Sequence, residues 1–140
     1  MSACLHEAGH CLLALVEGLP FAKVTRSSLE FSIGDEMPDL TIVHLGGLAA
    51  EALAGNVPGN FWETKDMAEA KRCAALALEK RGIEPTKEAV RAELEVQWQG
   101  AQVILIRHWR PLHALALTLK RLETISYETA KAIVHEFSSG

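Results

Sequence analysis

Apolar residues recur at helical spacing in several blocks of this chain, and clusters of glycine, proline and asparagine separate the blocks. Ser2 is placed to cap a helix that starts almost at once and runs to about Glu17, where Gly18 and Pro20 stop it. From Ala22 to Ile33 the pattern changes. Val24, Leu29, Phe31 and Ile33 mix with Thr25, Ser27, Ser28 and Ser32, and the last part alternates with period two, which predicts one or two short strands. Residues 34–39 read as a loop. Thr41 to about Leu53 is apolar, small and helical in pattern, and residues 55–59 break it. Thr64 caps the next predicted helix, which runs to about Lys80 and stops at Gly82. Pro85 and Thr86 open a long helix reaching about Trp109, with Val90, Leu94, Trp98, Ala101, Leu105 and Trp109 at helical spacing. Arg110 and Pro111 are expected to break it. A helix from Pro111 to Leu122 follows, and a last one runs to about Phe137 with Ser126 as N-cap. The expected fold is mainly α (α+β): one helical domain over residues 1–140 with a small sheet near the N-terminus.

Composition narrows the class. At 140 residues, 49% hydrophobic and 23% charged, the chain is ordinary globular material with enough length for one real core. A net charge of −4 and the absence of a basic stripe argue against nucleic acid as a partner. No apolar run is long enough to span a bilayer, so membrane insertion is not expected. Cys4, Cys11 and Cys73 are odd in number and form no Cys-x-x-Cys, which disfavours a disulfide framework and points to a reducing, cytoplasmic compartment.

The chemistry lies in the first predicted helix. His6 and His10 are four apart, so both imidazoles project from one face about one turn apart. Two nitrogens so placed can occupy two corners of a tetrahedral zinc. Glu7 follows the first histidine and is placed to act as general base on a zinc-activated water attacking a carbonyl. Cys4, Leu5, Ala8, Gly9, Cys11 and Leu12 around the motif are uncharged, as a buried metal-binding helix requires. Gly9 costs a helix interior roughly 1 kcal/mol against alanine, and its missing side chain lets another backbone pack close. The bland alternative is two partly exposed histidines beside a solvated glutamate. A catalytic zinc needs a third protein ligand. None follows His10 at short spacing, and Asp35, His44, Glu51, Glu63 and Asp66 are the candidates. His44, His108, His113 and His135 are isolated and read as surface or capping histidines.

Several segments together resemble the peptidase domain of the FtsH family of ATP-dependent zinc proteases. The segment from Leu5 to His10 resembles that family's active-site helix, and Lys23-Val24-Thr25 its following strand. Leu45-Gly46-Gly47-Leu48-Ala49-Ala50-Glu51 resembles its Gly-Gly-x-Ala-Ala-Glu helix, and Thr64-Lys65-Asp66-Met67-x-x-Ala70 the segment carrying its third ligand. The resemblance implies one zinc per chain held by His6, His10 and Asp66, with Glu7 as the catalytic base. It implies that Glu51 holds a ligand histidine or the active-site helix. Gly46 and Gly47 most simply permit close packing on the first helix. The Leu29–Ile33 segment is either an ordinary core strand or an edge that pairs with an extended substrate.

The sequence also departs from that family. No Gly-x-x-x-x-Gly-Lys-Ser/Thr string occurs, so no ATP site of that kind lies in these residues. Leu48 stands where the family has arginine, and the loop before Asp66 is slightly longer and carries Phe61 and Trp62. The leading expectation is a zinc metalloendopeptidase acting on flexible or unfolded polypeptides, as a homo-oligomer or with a separate ATPase partner. The alternative is a catalytically weak, zinc-containing binding or regulatory module. An intact Glu7 favours the enzyme, because a structural zinc site has no use for a base.

Overall fold

The structure, a computed structural model, describes residues 2–31, 39–56 and 59–138. The first helix, α1 (Ser2–Val16), ends where Gly18 adopts a φ of 71°, a left-handed conformation that glycine takes without steric cost. The chain then forms a hairpin of β1 (Phe21–Thr25) and β2 (Leu29–Phe31). Next come α2 (Thr41–Leu53), a 3-10 turn at Phe61–Glu63, α3 (Lys65–Lys80) and α4 (Lys87–Arg107). The chain closes with α5 (Trp109–Leu122), β3 (Thr124–Ser126) and α6 (Tyr127–Ser138). This is the mainly helical α+β fold expected from the pattern. Asp35 and residues 32–33 of the anticipated strand lie outside the described residues.

The caps anticipated at Thr64 and Ser126 form, Thr86 caps the helix expected to open there, and Ser2 lies within α1 itself. Thr64 Oγ1 accepts from the Met67 amide at 3.2 Å and Thr86 Oγ1 from the Ala89 amide at 3.1 Å. Ser126 does the same for Thr129 at the start of α6. The boundary between α4 and α5 differs from expectation. α4 ends at Arg107, and Pro111 sits inside the first turn of α5, where a residue without an N–H leaves no bond unmade. The break falls at His108, two residues before the predicted one.

β3 was not anticipated. It pairs antiparallel with β1, with Val24 opposite Ile125, while β1 pairs antiparallel with β2 on its other side, with Val24 opposite Leu29. The sheet order is therefore β2-β1-β3, and β2 lies at an edge. Only one of the three residues of β3, Ile125, points inward, which is too short a stretch to show a period. Arg26 in the hairpin turn braces the sheet: its guanidinium donates to the carbonyl oxygens of Leu119 and Lys120 at the end of α5, and it pairs with Glu123.

The main core joins α1, the sheet, α4 and α5 through Leu12, Leu13, Val24, Leu105, Leu112 and Ile125, all buried. A second cluster fills the space between α2, α3 and α4 with Leu45, Leu48, Met67 and Leu94. Trp98 and Trp109 are half-buried against the core. Cys4, Cys11 and Cys73 are free and buried, and burial pushes the Cys11 and Cys73 thiols up, away from reactive thiolate. Among the described residues no helix is long and apolar enough to cross a membrane.

Candidate metal centre

α1 and α2 meet backbone to backbone. A Cβ built on Gly9 would lie 2.4 Å from the Gly46 carbonyl oxygen, and one on Gly46 would lie 2.8 Å from that of Gly9. Neither position has room for a side chain. This contact draws the next turn of α2 beneath the His6 and His10 rings. A Cβ on Gly47 would come within 2.6 Å of Nε2 of both histidines. Gly9 and the glycine pair of α2 are thus explained by close approach.

Each imidazole is oriented through its Nδ1. His10 Nδ1 donates to the Val43 carbonyl at 2.6 Å, and His6 Nδ1 lies 3.2 Å from Glu51 Oε2. A carbonyl and a carboxylate can only accept, so a hydrogen sits on Nδ1 in both rings and Nε2 is the nitrogen each turns towards Asp66. α3 then delivers Asp66. The Thr64 cap fixes the first turn, and Asp66 Oδ2 reaches 2.6 Å from His6 Nε2 and 3.2 Å from His10 Nε2. The two Nε2 atoms are 3.1 Å apart.

Three electron-pair donors thus converge on one point from α1 and α3. Such a group needs a positive charge among its members, supplied by a proton or by a metal ion. Two neutral imidazoles and one carboxylate are a zinc-type donor set, and zinc bonds of 2.0–2.1 Å would separate tetrahedral ligand atoms by roughly 3.3 Å. The 3.1 and 3.2 Å separations are close to that, and the 2.6 Å between His6 Nε2 and Asp66 Oδ2 is a hydrogen-bond distance that would have to open to admit the metal. The residues fit the metal. Glu7 is also near, with a carboxylate oxygen within 4.8 Å of the ring nitrogens. Asp66 Oδ2 lies within hydrogen-bond distance of both Nε2 atoms, and Glu7 joins the two histidines in a group that could hold a metal ion.

The electrostatics follow from partial burial. Burial acts to lower the His6 pKa, but hydrogen bonds and charges from Asp66 and Glu51 outweigh it and raise it to about 9. Burial acts to raise the Asp66 pKa, and the hydrogen bonds from His10 and His6 hold it well below the usual carboxylate range. Burial pushes the Glu7 carboxyl up, with the two histidines opposing, and this moves it towards the range useful to a general base.

These groups open onto a cleft of about 220 Å³. Glu7, His10 and Asp66 line it together with Ser27, Ser28 and Leu29 of the hairpin. β2 is therefore an edge beside the ligands. His44 also lines the cleft, and Lys65 flanks Asp66 there. Of the other candidates for third ligand, Glu51 contacts the outer nitrogen of His6 and Glu63 is exposed. His44 is half-buried in the cleft lining and makes no hydrogen bond with the three converging donors. The sequence carries a signal for this place, because His44, Gly47 and Glu51 fall at i, i+3 and i+7 on one face of α2. His108 Nδ1 bonds the Ile104 carbonyl, and His113 and His135 lie on α5 and α6, away from the cleft lining.

No model of a known protein family matches the chain, and comparison with curated proteins finds no match.

Proposed function

We propose that the chain is a zinc-dependent metalloendopeptidase domain of the FtsH type. The observation that carries this reading is the convergence of His6 Nε2, His10 Nε2 and Asp66 Oδ2 beside the Glu7 carboxylate, in a cleft bordered by a β-edge. His6, His10 and Asp66 would hold the metal. When bound, zinc supplies Lewis acidity, which polarises a peptide carbonyl and makes water acidic enough to attack it near neutral pH.

The chain's own residues do the rest. Glu7 takes a proton from the attacking water on its carboxylate oxygen and returns it to the amide nitrogen as the C–N bond breaks. Glu51 and the Val43 carbonyl keep the two rings in the tautomer that offers Nε2 inward. β2 offers its outer backbone edge to an extended chain, which favours flexible or unfolded polypeptides over folded ones.

The test is hydrolysis of a labelled unstructured protein by the purified chain with zinc, with a chelator, and in the Glu7→Gln variant. Activity in the first case alone supports the reading. Zinc binding without turnover under any condition, and with no difference between wild type and Glu7→Gln, would assign the chain instead to the non-enzymatic, zinc-containing module.

A further inference from the structure

A second concave surface lies on the far side of α3, outside the cleft. The 3-10 turn Phe61–Glu63 sets Trp62 on the rim between α3 and α4, where it is 52% exposed. An apolar hollow of about 330 Å³ opens on one side of it, floored by Leu45, Met67 and Leu94 and walled by Phe61 and Trp98. Phe61 meets both tryptophan rings edge-on, at 5.3 Å for Trp62 and 5.1 Å for Trp98. A second hollow of about 570 Å³ adjoins it, sharing Trp62, Arg91 and Leu94. Lys71, Arg72, Lys87 and Arg91 line this second part, and among the described residues no carboxylate does.

Two of these cations are arranged around the exposed ring itself. The Lys71 ammonium is 5.8 Å and the Arg91 guanidinium 5.6 Å from the Trp62 ring centroid. Arg72 is partly neutralised by Glu69 at 2.7 Å, and Glu95 borders the apolar hollow. A chain with a net charge of −4 thus concentrates cations around one exposed aromatic wall beside an apolar socket. The charge sign selects an anionic occupant, and the socket selects one that also carries a large apolar side chain.

We propose that this groove binds polypeptide in which an aromatic or large aliphatic residue is flanked by carboxylates. The apolar side chain enters the hollow over Leu45, Met67 and Leu94, and the flanking carboxylates meet Lys71, Lys87 and Arg91. Polypeptide is favoured over nucleic acid because the socket is a side-chain-sized cavity with an aliphatic floor, whereas stacked bases need a row of open aromatic faces. It is favoured over a membrane surface because the cations ring a concave site beside a side-chain-sized socket, whereas an interfacial helix needs a convex apolar face.

The test uses the full chain in a Glu7→Gln background, so that the probe is not consumed. A blocked, fluorescein-labelled peptide with one phenylalanine between pairs of aspartates is titrated by anisotropy. Controls replace the aspartates by lysines or the phenylalanine by serine. Saturable binding is expected for the acidic phenylalanine peptide alone, weakening with salt. It should fall at least tenfold in Trp62→Ala and in Arg91→Glu, with circular dichroism reporting the fold of each. Lys71→Glu provides the same readout at another exposed position. Absence of saturation, equal affinity for the lysine peptide, or affinity unchanged by Arg91→Glu and Lys71→Glu would overturn the proposal. So would binding of phosphatidylglycerol vesicles or a single-stranded oligonucleotide in place of the peptide. The measurement reads no turnover, so its failure is separate from failure of the peptidase reading.

Discussion

His6 Nδ1 lies 3.2 Å from Glu51 Oε2, a contact that ties the first histidine of α1 to the last turn of α2. The carboxylate fixes the ring's tautomer and makes Nε2 more basic. Glu51→Ala removes that partner without touching Nε2. Zinc affinity is expected to fall on the order of 10- to 100-fold, measured by competition with a chromogenic chelator. Unchanged affinity would make Glu51 a helix-packing residue only.

Glu7→Gln preserves size and removes the proton acceptor. Turnover of an unstructured substrate should drop on the order of a hundredfold or more, while zinc content by elemental analysis stays at one per chain. Equal rates in the two proteins would remove Glu7 from the mechanism.

Gly47→Ala places a methyl group within 2.6 Å of both Nε2 atoms. The rings must move, so zinc occupancy should collapse while the melting temperature of the metal-free protein changes little. Gly9→Ala differs. Its Cβ meets the backbone oxygen of Gly46 at 2.4 Å, which cannot swing aside, and a loss of about 1–3 kcal/mol in folding stability is expected, read by urea denaturation. The reverse pattern, with Gly47→Ala destabilised and Gly9→Ala not, would contradict the packing described above.

The pH dependence follows from His6 and Asp66. The metal-free His6 pKa is raised to about 9 by Asp66 and Glu51 against the opposing effect of burial. Zinc must displace that proton, so uptake at pH 7.5 should release about one proton per metal, seen as a buffer-dependent calorimetric enthalpy. Release should fade above pH 9. Between pH 9 and pH 7 the apparent affinity should weaken roughly tenfold per unit. Because the folded pKa is raised, the stabilisation from His6 in the metal-free protein is complete below pH 6.5 and is lost as pH rises through about 9. Asp66 has the opposite sign: its contribution is present above the ordinary aspartate range and is lost as pH falls below it. Metal-free protein should therefore melt lower at pH 10 than at pH 7. Identical melting at both would remove the His6–Asp66 contact as a source of stability.

Much of this was legible in the sequence because it rests on local rules. Thr64 and Thr86 each face an amide three residues on, so the helix starts at Lys65 and Lys87 follow from neighbours in the chain. The His6–His10 pair is likewise a property of one helix. Asp66 is different. Sequence spacing left it one candidate among five, and only a resemblance singled it out, because its approach to His6 depends on how α3 packs across 60 residues of chain. β3 went unread for the same reason. Thr124–Ser126 has one buried residue and becomes a strand only because β1 offers a free edge. His44 reaches the cleft through the face of α2 that it shares with Gly47 and Glu51, a pattern readable from their spacing.

The Gly9–Gly46 contact means that the metal centre is dimensioned by main chain. Side chains between two helices act as adjustable spacers, and a lost methylene lets the helices settle closer. Here no spacer exists, and the separation of α1 from α2 is a van der Waals contact between peptide groups. Substitutions elsewhere in the core can therefore lower the melting temperature while leaving the distances among His6, His10 and Glu51 as they are. For an engineer, thermal robustness and metal affinity should be separately adjustable in this domain, the first through the leucines of α5 and the second through Gly47, whose Cβ would meet the two histidine rings rather than backbone.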